Sequence, residues 1–315
     1  VTRQLNRLTE MTAVPRSRYE EQTMITIPSF TMNNGINIPA LGYGVFQMTS
    51  DQVREHLPQA LELGYRHIDT ANAYFNEVAV GEVVRDAIAA GSVKREDLFI
   101  TSKLFPQSYP YAQAVKDIDA TLERLGLDYL DLLLFHQPYG EYTSGWKAME
   151  EAVAAGKIRS IGLSNFPIAK FQEILDVASI KPVVNQVEAH PRWNQHELKA
   201  RMDRAAGTEV LVEAWYPLGH GDKTLLEEPA IAAAAQRTGA TPAQVILAWH
   251  LAEKNITFPK TLNPAHMADN LAALDVTLTE AEIAAINETP QAPYYVIPDE
   301  PPAFTTTVND YSQQA

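Results

Sequence analysis

Asp69, Tyr74, Lys103 and His136 are the four side chains in this sequence whose types and spacing could together protonate a carbonyl oxygen. Each falls at or near the end of a strand-like segment: GYRHIDTANAYFNE, FITSK and LLLFH. A phenol is a poor acid at neutral pH, with a reference pKa of about 10. A buried ammonium beside it favours the phenolate and should bring that value toward the working range, and a carboxylate behind the lysine keeps the ammonium charged. An imidazole can then hold a carbonyl oxygen over the phenol. Taken singly, each residue has a plainer reading: a turn cap for Asp69, a core ring for Tyr74, a solvated chain for Lys103, an interior imidazole for His136. It is their common register that points to chemistry.

That register is set by elements of repeating length. Asp69 and Lys103 lie 34 residues apart, Lys103 and His136 33. One strand, one helix and two loops take about 30 residues. Residues one such unit apart, each at the carboxyl end of its strand, converge on one face of a (β/α)8 barrel, where barrels of this kind keep their active sites. Apolar runs ending at Gly44, Asp69, Lys103, His136, Ser164, Glu188, Trp215 and Lys260 supply eight candidate strands. Between them the pattern predicts helices over 51–63, 76–90, 112–125, 144–155, 168–178, 197–206, 229–238 and 242–253. Many are closed by a glycine or opened by Thr, Ser or Pro. Two more are expected over 264–274, behind Asn263, and 280–287, behind Thr279 with Glu282 three residues on. A hairpin with its turn at Asn33, Asn34 and Gly35 precedes the first barrel strand. The fold expected is a single α/β (β/α)8 barrel, residues 24–315, with a hairpin cap, extra C-terminal helices and a C-terminal segment folded over the mouth. Residues 1–23 read as a mobile extension.

The 315 residues suit one barrel better than two average domains. A net charge of −14 argues against nucleic acid or an anionic membrane as partner, while leaving room for a local basic pocket. No apolar run approaches a membrane span, and no cysteine is present, which removes disulfides, thiolate metal sites and cysteine nucleophiles. The eight histidines include no H-x-H pair at a strand end, so no metal is expected. A cytoplasmic location is the default, with a small carbonyl compound as partner.

A proton relay without a nucleophile needs hydride from a dinucleotide. No G-x-G-x-x-G follows the first strand, so a Rossmann mode is unsupported. Polar groups suited to a carboxamide occur instead at Ser164, Asn165 and Gln186, and Trp215 offers a flat face for a nicotinamide ring. In FPKTLNPAHMADN, Lys260 and Thr261 stand just before a helix amino terminus, a site for a phosphate.

These segments, strongest at 64–81, 156–166, 183–188, 214–219 and 259–270, resemble the aldo-keto reductase family over residues 25–287, nearest its bacterial branch with diketogluconate and methylglyoxal reductases. The resemblance implies NAD(P)H-dependent reduction of aldehydes or ketones by a tetrad of Asp69, Tyr74, Lys103 and His136, with Tyr74 as general acid. It implies NADPH bound across the mouth by Ser164, Asn165, Gln186, Trp215, Pro217, Leu218, Gly219, Lys260, Thr261, His266, Asp269 and Asn270. It also gives a substrate pocket walled by Phe46, Gln137 and Trp193. Two positions depart from the family pattern. Gln137 stands where tryptophan is common, and His266 where arginine is usual, which loosens strict NADPH preference; NADPH is expected to be preferred through Lys260, with NADH usable. The alternative function is a non-catalytic, nucleotide-binding barrel acting as a sensor or channel-associated subunit.

Overall fold

The computed structural model describes residues 26–311 and 314; the expected extension over 1–23 lies outside them. Eight strands form one parallel sheet in which neighbours follow chain order: β3 Tyr43–Gly44, β4 His67–Asp69, β5 Phe99–Leu104, β6 Leu132–Phe135, β7 Ile161–Ser164, β8 Val184–Glu188, β9 Leu211–Trp215 and β10 Ile256–Thr257. The sheet closes on itself. Gly42 N–H donates to Thr257 O (2.8 Å) and Thr257 N–H to Ala40 O (3.0 Å). From β3 to β8 every strand residue is buried, because helices cover the outer face and side chains fill the inner one; β6, LLLF, is accordingly wholly apolar, while other strands carry buried polar groups such as Asp69, Lys103 and Gln186.

Before the barrel, β1 (Ser29–Thr31) and β2 (Asn37–Pro39) make an antiparallel hairpin. It plugs the amino-terminal end. Asn33 Nδ2 donates to Pro182 O (2.9 Å) and Glu209 O (3.2 Å), ahead of β8 and β9, while Met32 and Ile38 pack with Phe99, Leu132 and Leu211.

The helices are α1 Ser50–Leu63, α2 Glu77–Ala89, α3 Tyr111–Leu125, α4 Tyr142–Ala154, α5 Ile168–Val177, α6 His196–Ala206, α7 Lys223–Leu226, α8 Pro229–Thr238, α9 Pro242–Ala252, α10 Pro264–Leu271, α11 Glu280–Asn287 and α12 Ala303–Thr306. Capping boxes at Thr49–Gln52, Thr241–Gln244 and Thr279–Glu282 start α1, α9 and α11. None of the described helices is long and apolar enough to cross a membrane.

Two expectations are corrected. The last strand ends at Thr257 and not at Lys260: Pro259 has no N–H to give a ladder, so the run FPK leaves the sheet. The helix expected over 264–274 ends at Leu271 and tightens into a 3-10 turn, Ala272–Asp275.

The segment after α11 runs over the mouth. Tyr294 and Tyr295 N–H donate to the Glu188 carboxylate (2.5 and 2.9 Å) at the end of β8, and Tyr139 Oη donates to Pro298 O (2.6 Å) beyond β6. Beyond β5, Gln107 and Asn309 exchange hydrogen bonds of 2.8 and 2.6 Å.

Close helix packing sets the spacing of the outer ring. A Cβ at Gly81 of α2 would overlap the carbonyl of Leu125 at the end of α3. Helix propensity alone favours alanine there by up to about 1 kcal/mol. The backbone overlap should win, so Gly81→Ala is expected to destabilise by about 1–3 kcal/mol in a urea titration. An unchanged or raised midpoint would show that the α2–α3 contact can open freely.

Candidate active site

Strand pairing places the first two groups. Asp69 of β4 sits opposite Thr101 of β5, so Lys103, two residues on, presents its side chain on the same face of the sheet as Thr101. The Lys103 ammonium is wholly buried and spends its three hydrogens on three oxygens: Asp69 Oδ1 (2.6 Å), Thr70 O (2.9 Å) and Tyr74 Oη (3.2 Å). Tyr74 comes from a 3-10 turn, Asn72–Tyr74, directly after β4. His136 follows β6, and its ring meets that of Tyr74 edge-on at 5.5 Å between centroids. The four residues singled out from spacing therefore share one cluster at the carboxyl end of the barrel.

Its electrostatics differ in one respect from expectation. Burial pushes the Tyr74 phenol up to about 12, against the opposing pull of Lys103. The ammonium thus limits the rise without reversing it, because desolvation of the phenolate is the larger effect. Lys103 itself is held above its ordinary value: burial opposes its charge, but Asp69 and Tyr74 together outweigh it. His136 is driven well below the usual histidine range, by burial and then by Lys103, so it is neutral; its Nδ1 is buried without a partner among the described residues.

Next to the cluster, Gln186 of β8 donates from Nε2 to Asp69 Oδ2 (2.9 Å) and to Glu213 Oε2 (3.1 Å). Two carboxyl groups on one side of this amide fix its orientation, with the amide nitrogen facing them. Its carbonyl oxygen is left without a protein partner among the described residues. Ser164, opposite Gln186 in the β7–β8 ladder, accepts from Asn165 Nδ2 (3.1 Å) and keeps its own hydroxyl hydrogen free. A free donor on Ser164 and a free acceptor on Gln186, paired across the β7–β8 ladder, match the two halves of a primary carboxamide. Asn165 is committed elsewhere. It donates to His136 O (3.0 Å) and accepts from Trp215 Nε1 (2.8 Å), which makes it a brace for the indole.

The remaining predicted contacts are distributed as follows. Pro217, Leu218 and Gly219 form the loop after β9, where Pro217 O meets His250 Nε2 (3.2 Å) and Gly219 N–H donates to Tyr216 O (2.8 Å). Lys260 is exposed with no acidic partner among the described residues, and Thr261 and Asn263 form the turn that opens α10. His266 and Asp269 are exposed on α10, and Asn270 is buried. Phe46 is 43% exposed with its ring 5.0 Å from that of Tyr74. Gln137 is half-buried, its backbone N–H and C=O both bonded to Tyr109 Oη at 2.9 Å. Trp193 lines a different space: a cavity of 590 Å³ beside Asn165, Trp215 and Tyr295, lined by none of the four clustered residues.

Glu213 was not singled out from the sequence. It is fully buried in β9, and burial, with the negative charge of Asp69, pushes its carboxyl up to about 8. The available signal was an acidic residue inside the apolar run VLVEAW. A folded-state value above the unfolded one means that stability from the neutral acid is full below the unfolded value near 4.5 and is lost as pH rises toward 8. Melting temperatures at pH 5 and pH 8 test this. Glu213→Gln should remove that part of the loss, so the variant should fall less than the wild type by at least ~2 °C. Identical slopes would mean that Glu213 does not titrate in that window.

Comparison with known proteins joins the geometry to a family. The sequence model described as the Aldo/keto reductase family matches residues 40–290. Morphine 6-dehydrogenase of Pseudomonas putida is 38% identical over 275 residues, covering 83% of this chain and 90% of its own length. Among solved structures, an aldo/keto reductase from Brucella melitensis superposes with a TM-score of 0.77 at 36% identity, covering 84% of this chain and 99% of the other. A Bombyx mori aldo-keto reductase in complex with NADP gives 0.77 at 33% identity, over 84% and 93%. With its barrel closed in this order and its sequence matched from the hairpin's end to past the last long helix, the chain belongs to the aldo/keto reductase family.

Proposed function

We propose that this oxidoreductase reversibly reduces aldehydes or ketones to alcohols, preferring NADPH and also using NADH, with small carbonyls, dicarbonyls or keto-sugars as substrates. The observation that carries the reading is the buried Lys103 ammonium bonded at once to Asp69 and to the Tyr74 hydroxyl. When bound, the dinucleotide supplies the hydride. Tyr74 hands its phenolic proton to the carbonyl oxygen, and Lys103 stabilises the phenolate left behind. Asp69 keeps the lysine charged. His136, neutral, donates to the same oxygen and sets its position over the phenol. The relay costs little motion, since every partner is already in place.

Ser164 and Gln186 would bracket the carboxamide, Trp215 would lie against the nicotinamide ring, and Pro217, Leu218 and Gly219 would follow the pyrophosphate. Lys260, Thr261 and the amino terminus of α10 suit an adenosine phosphate, with His266, Asp269 and Asn270 along the same helix. The donor–acceptor pair at Ser164 and Gln186 and the Lys260 charge, without an acidic partner among the described residues, both support that placement. Phe46 and Gln137 flank the reacting position, one aromatic and one polar wall, which suits small polar carbonyls better than large apolar ones.

Tyr74→Phe is expected to lower kcat by about 10²–10⁴ while leaving the dissociation constant for NADPH within twofold, measured by turnover and by fluorescence titration. Wild-type turnover in this variant would exclude Tyr74 as the acid. For the cofactor, Lys260→Met should reduce kcat/KM with NADPH roughly tenfold and leave that with NADH nearly unchanged. The histidine at 266 offers no permanent charge for a 2′-phosphate. A wild-type preference for NADPH of a thousandfold or more would overturn use of both.

A further inference from the structure

Tyr74 is not carried by the sheet. It ends a 3-10 turn, Asn72–Tyr74, followed by Phe75 in the left-handed region (φ 57°) and then by α2. The side chains that would ordinarily anchor such a turn are not available to it. Asn72 is buried with both amide atoms unpartnered among the described residues. Asn76 stands at the N-cap of α2 but makes no capping bond. Its amide instead donates to Val45 O and Met48 O (both 3.0 Å) and accepts from Thr70 Oγ1 (2.9 Å).

Both ends of the turn, whose Asn72 O also accepts the long Phe75 N–H bond (3.3 Å), are met by a residue from the far end of the chain. Gln314 Nε2 donates to Asn72 O (3.2 Å), and Gln314 Oε1 accepts from Glu77 N–H (2.9 Å), the first residue of α2. The side-chain cap that Asn76 does not give α2 is thereby supplied by a residue 237 positions away. The approach is held at neighbouring points. The Tyr311 ring lies 5.5 Å from that of Phe75, and the Gln107–Asn309 exchange fixes the strand of chain leading there. The Glu77 side chain accepts from Ser102 Oγ (2.5 Å), the residue before Lys103, and from Arg124 Nε (2.7 Å).

We propose that Gln314 is a positioning residue for Tyr74: its amide spans the turn from Asn72 to Glu77 and holds the phenol within reach of Lys103. The inference rests on the reading of Tyr74 as proton donor. It differs from a role as a mere cover over the mouth, because a cover alters substrate access whereas a clamp alters the chemical step.

The test compares the wild type with Gln314→Met, which keeps length and apolar bulk but removes both hydrogen bonds, and with a chain ending at Tyr311. The clamp predicts a fall in kcat of roughly tenfold in both, since small displacements of a reacting group are costly. The NADPH dissociation constant should stay within about twofold, KM for the carbonyl should change less than kcat, and the deuterium isotope effect on kcat should rise as chemistry becomes limiting. In a Tyr74→Phe background, Gln314→Met should cause no further loss. Unchanged kcat in Gln314→Met overturns the proposal whatever the shortened chain does, as does a loss confined to KM or an equal loss without the phenol. A Tyr74→Phe enzyme with wild-type turnover would overturn the reading of Tyr74 and the clamp with it. An inactive Tyr74→Phe beside a fully active Gln314→Met would remove the clamp alone.

Discussion

An ammonium taken wholly out of water must be paid for on the spot, and the Lys103 side chain is 0% exposed. Three hydrogens need three acceptors, and at least one must carry charge. Asp69, the Thr70 carbonyl and Tyr74 Oη are those acceptors. The second oxygen of Asp69 then needs a donor, which Gln186 provides. Gln186 has another hydrogen, and Glu213 receives it. One cation and two carboxyl groups in one dry compartment cannot all be ionised without leaving excess negative charge. The carboxyl farther from the lysine therefore stays neutral, in line with the upward displacement of Glu213. A single buried charge thus dictates the polar content of the barrel's upper interior across β4, β5, β8 and β9.

The sheet holds only part of this arrangement. Asp69, Lys103, Ser164, Gln186 and Glu213 stand on strands, where ladder pairing fixes their relative heights. Tyr74, His136 and Asn165 stand just beyond strand ends, where the backbone must turn sharply to bring a side chain back over the barrel axis. Among the described residues, seven that are not glycine have positive φ. Six of them, Gln47, Phe75, Asn165, Gln195, Tyr216 and His220, lie in loops at the carboxyl ends of strands. Such backbone costs of order 1 kcal/mol or more at each position and persists only where neighbours over-determine it. The mouth is accordingly crossed by tertiary hydrogen bonds, from Asn76 to the loop after β3 and from Glu188 to the tail.

That division also explains what could be read from the sequence. Strand-borne groups follow a repeat, so Asp69 and Lys103 were legible from a spacing of one βα unit, and the eight strands from their apolar runs. Thr257 was not legible as the last strand residue, because Phe258 continues the apolar pattern and only the missing N–H of Pro259 breaks the ladder. Glu213 hid for the opposite reason: a carboxyl in an apolar run looks like an outward-facing residue until the pairing of β8 and β9 turns it inward. The direction of the Tyr74 displacement was misjudged because the benefit of a neighbouring charge is visible in a motif, whereas the depth of burial is not. The path of the tail past Pro298 and Asn309 depends on contacts more than a hundred residues away in sequence, which no local pattern encodes.

A rigid sheet and a strained rim are complementary parts of one solution. Lys103 cannot leave its pocket without stranding a charge, so its position is fixed by electrostatics and packing together. The phenol beside it contributes a single bond of 3.2 Å to that arrangement, the longest of the three the ammonium makes. It also sits on a turn whose own asparagine side chain, that of Asn72, has no partner among the described residues. The weakest link in the cluster is therefore the group on which the proposed proton transfer depends, and nothing in β4 can strengthen it, because the strand has already ended at Asp69. Support has to come from outside the strand: from the His136 and Phe46 rings, from Asn76, and from chain that folds back over the mouth. A barrel whose proposed proton donor stands on a turn thus has a physical reason to carry a long segment after α11, independent of what that segment does to the substrate.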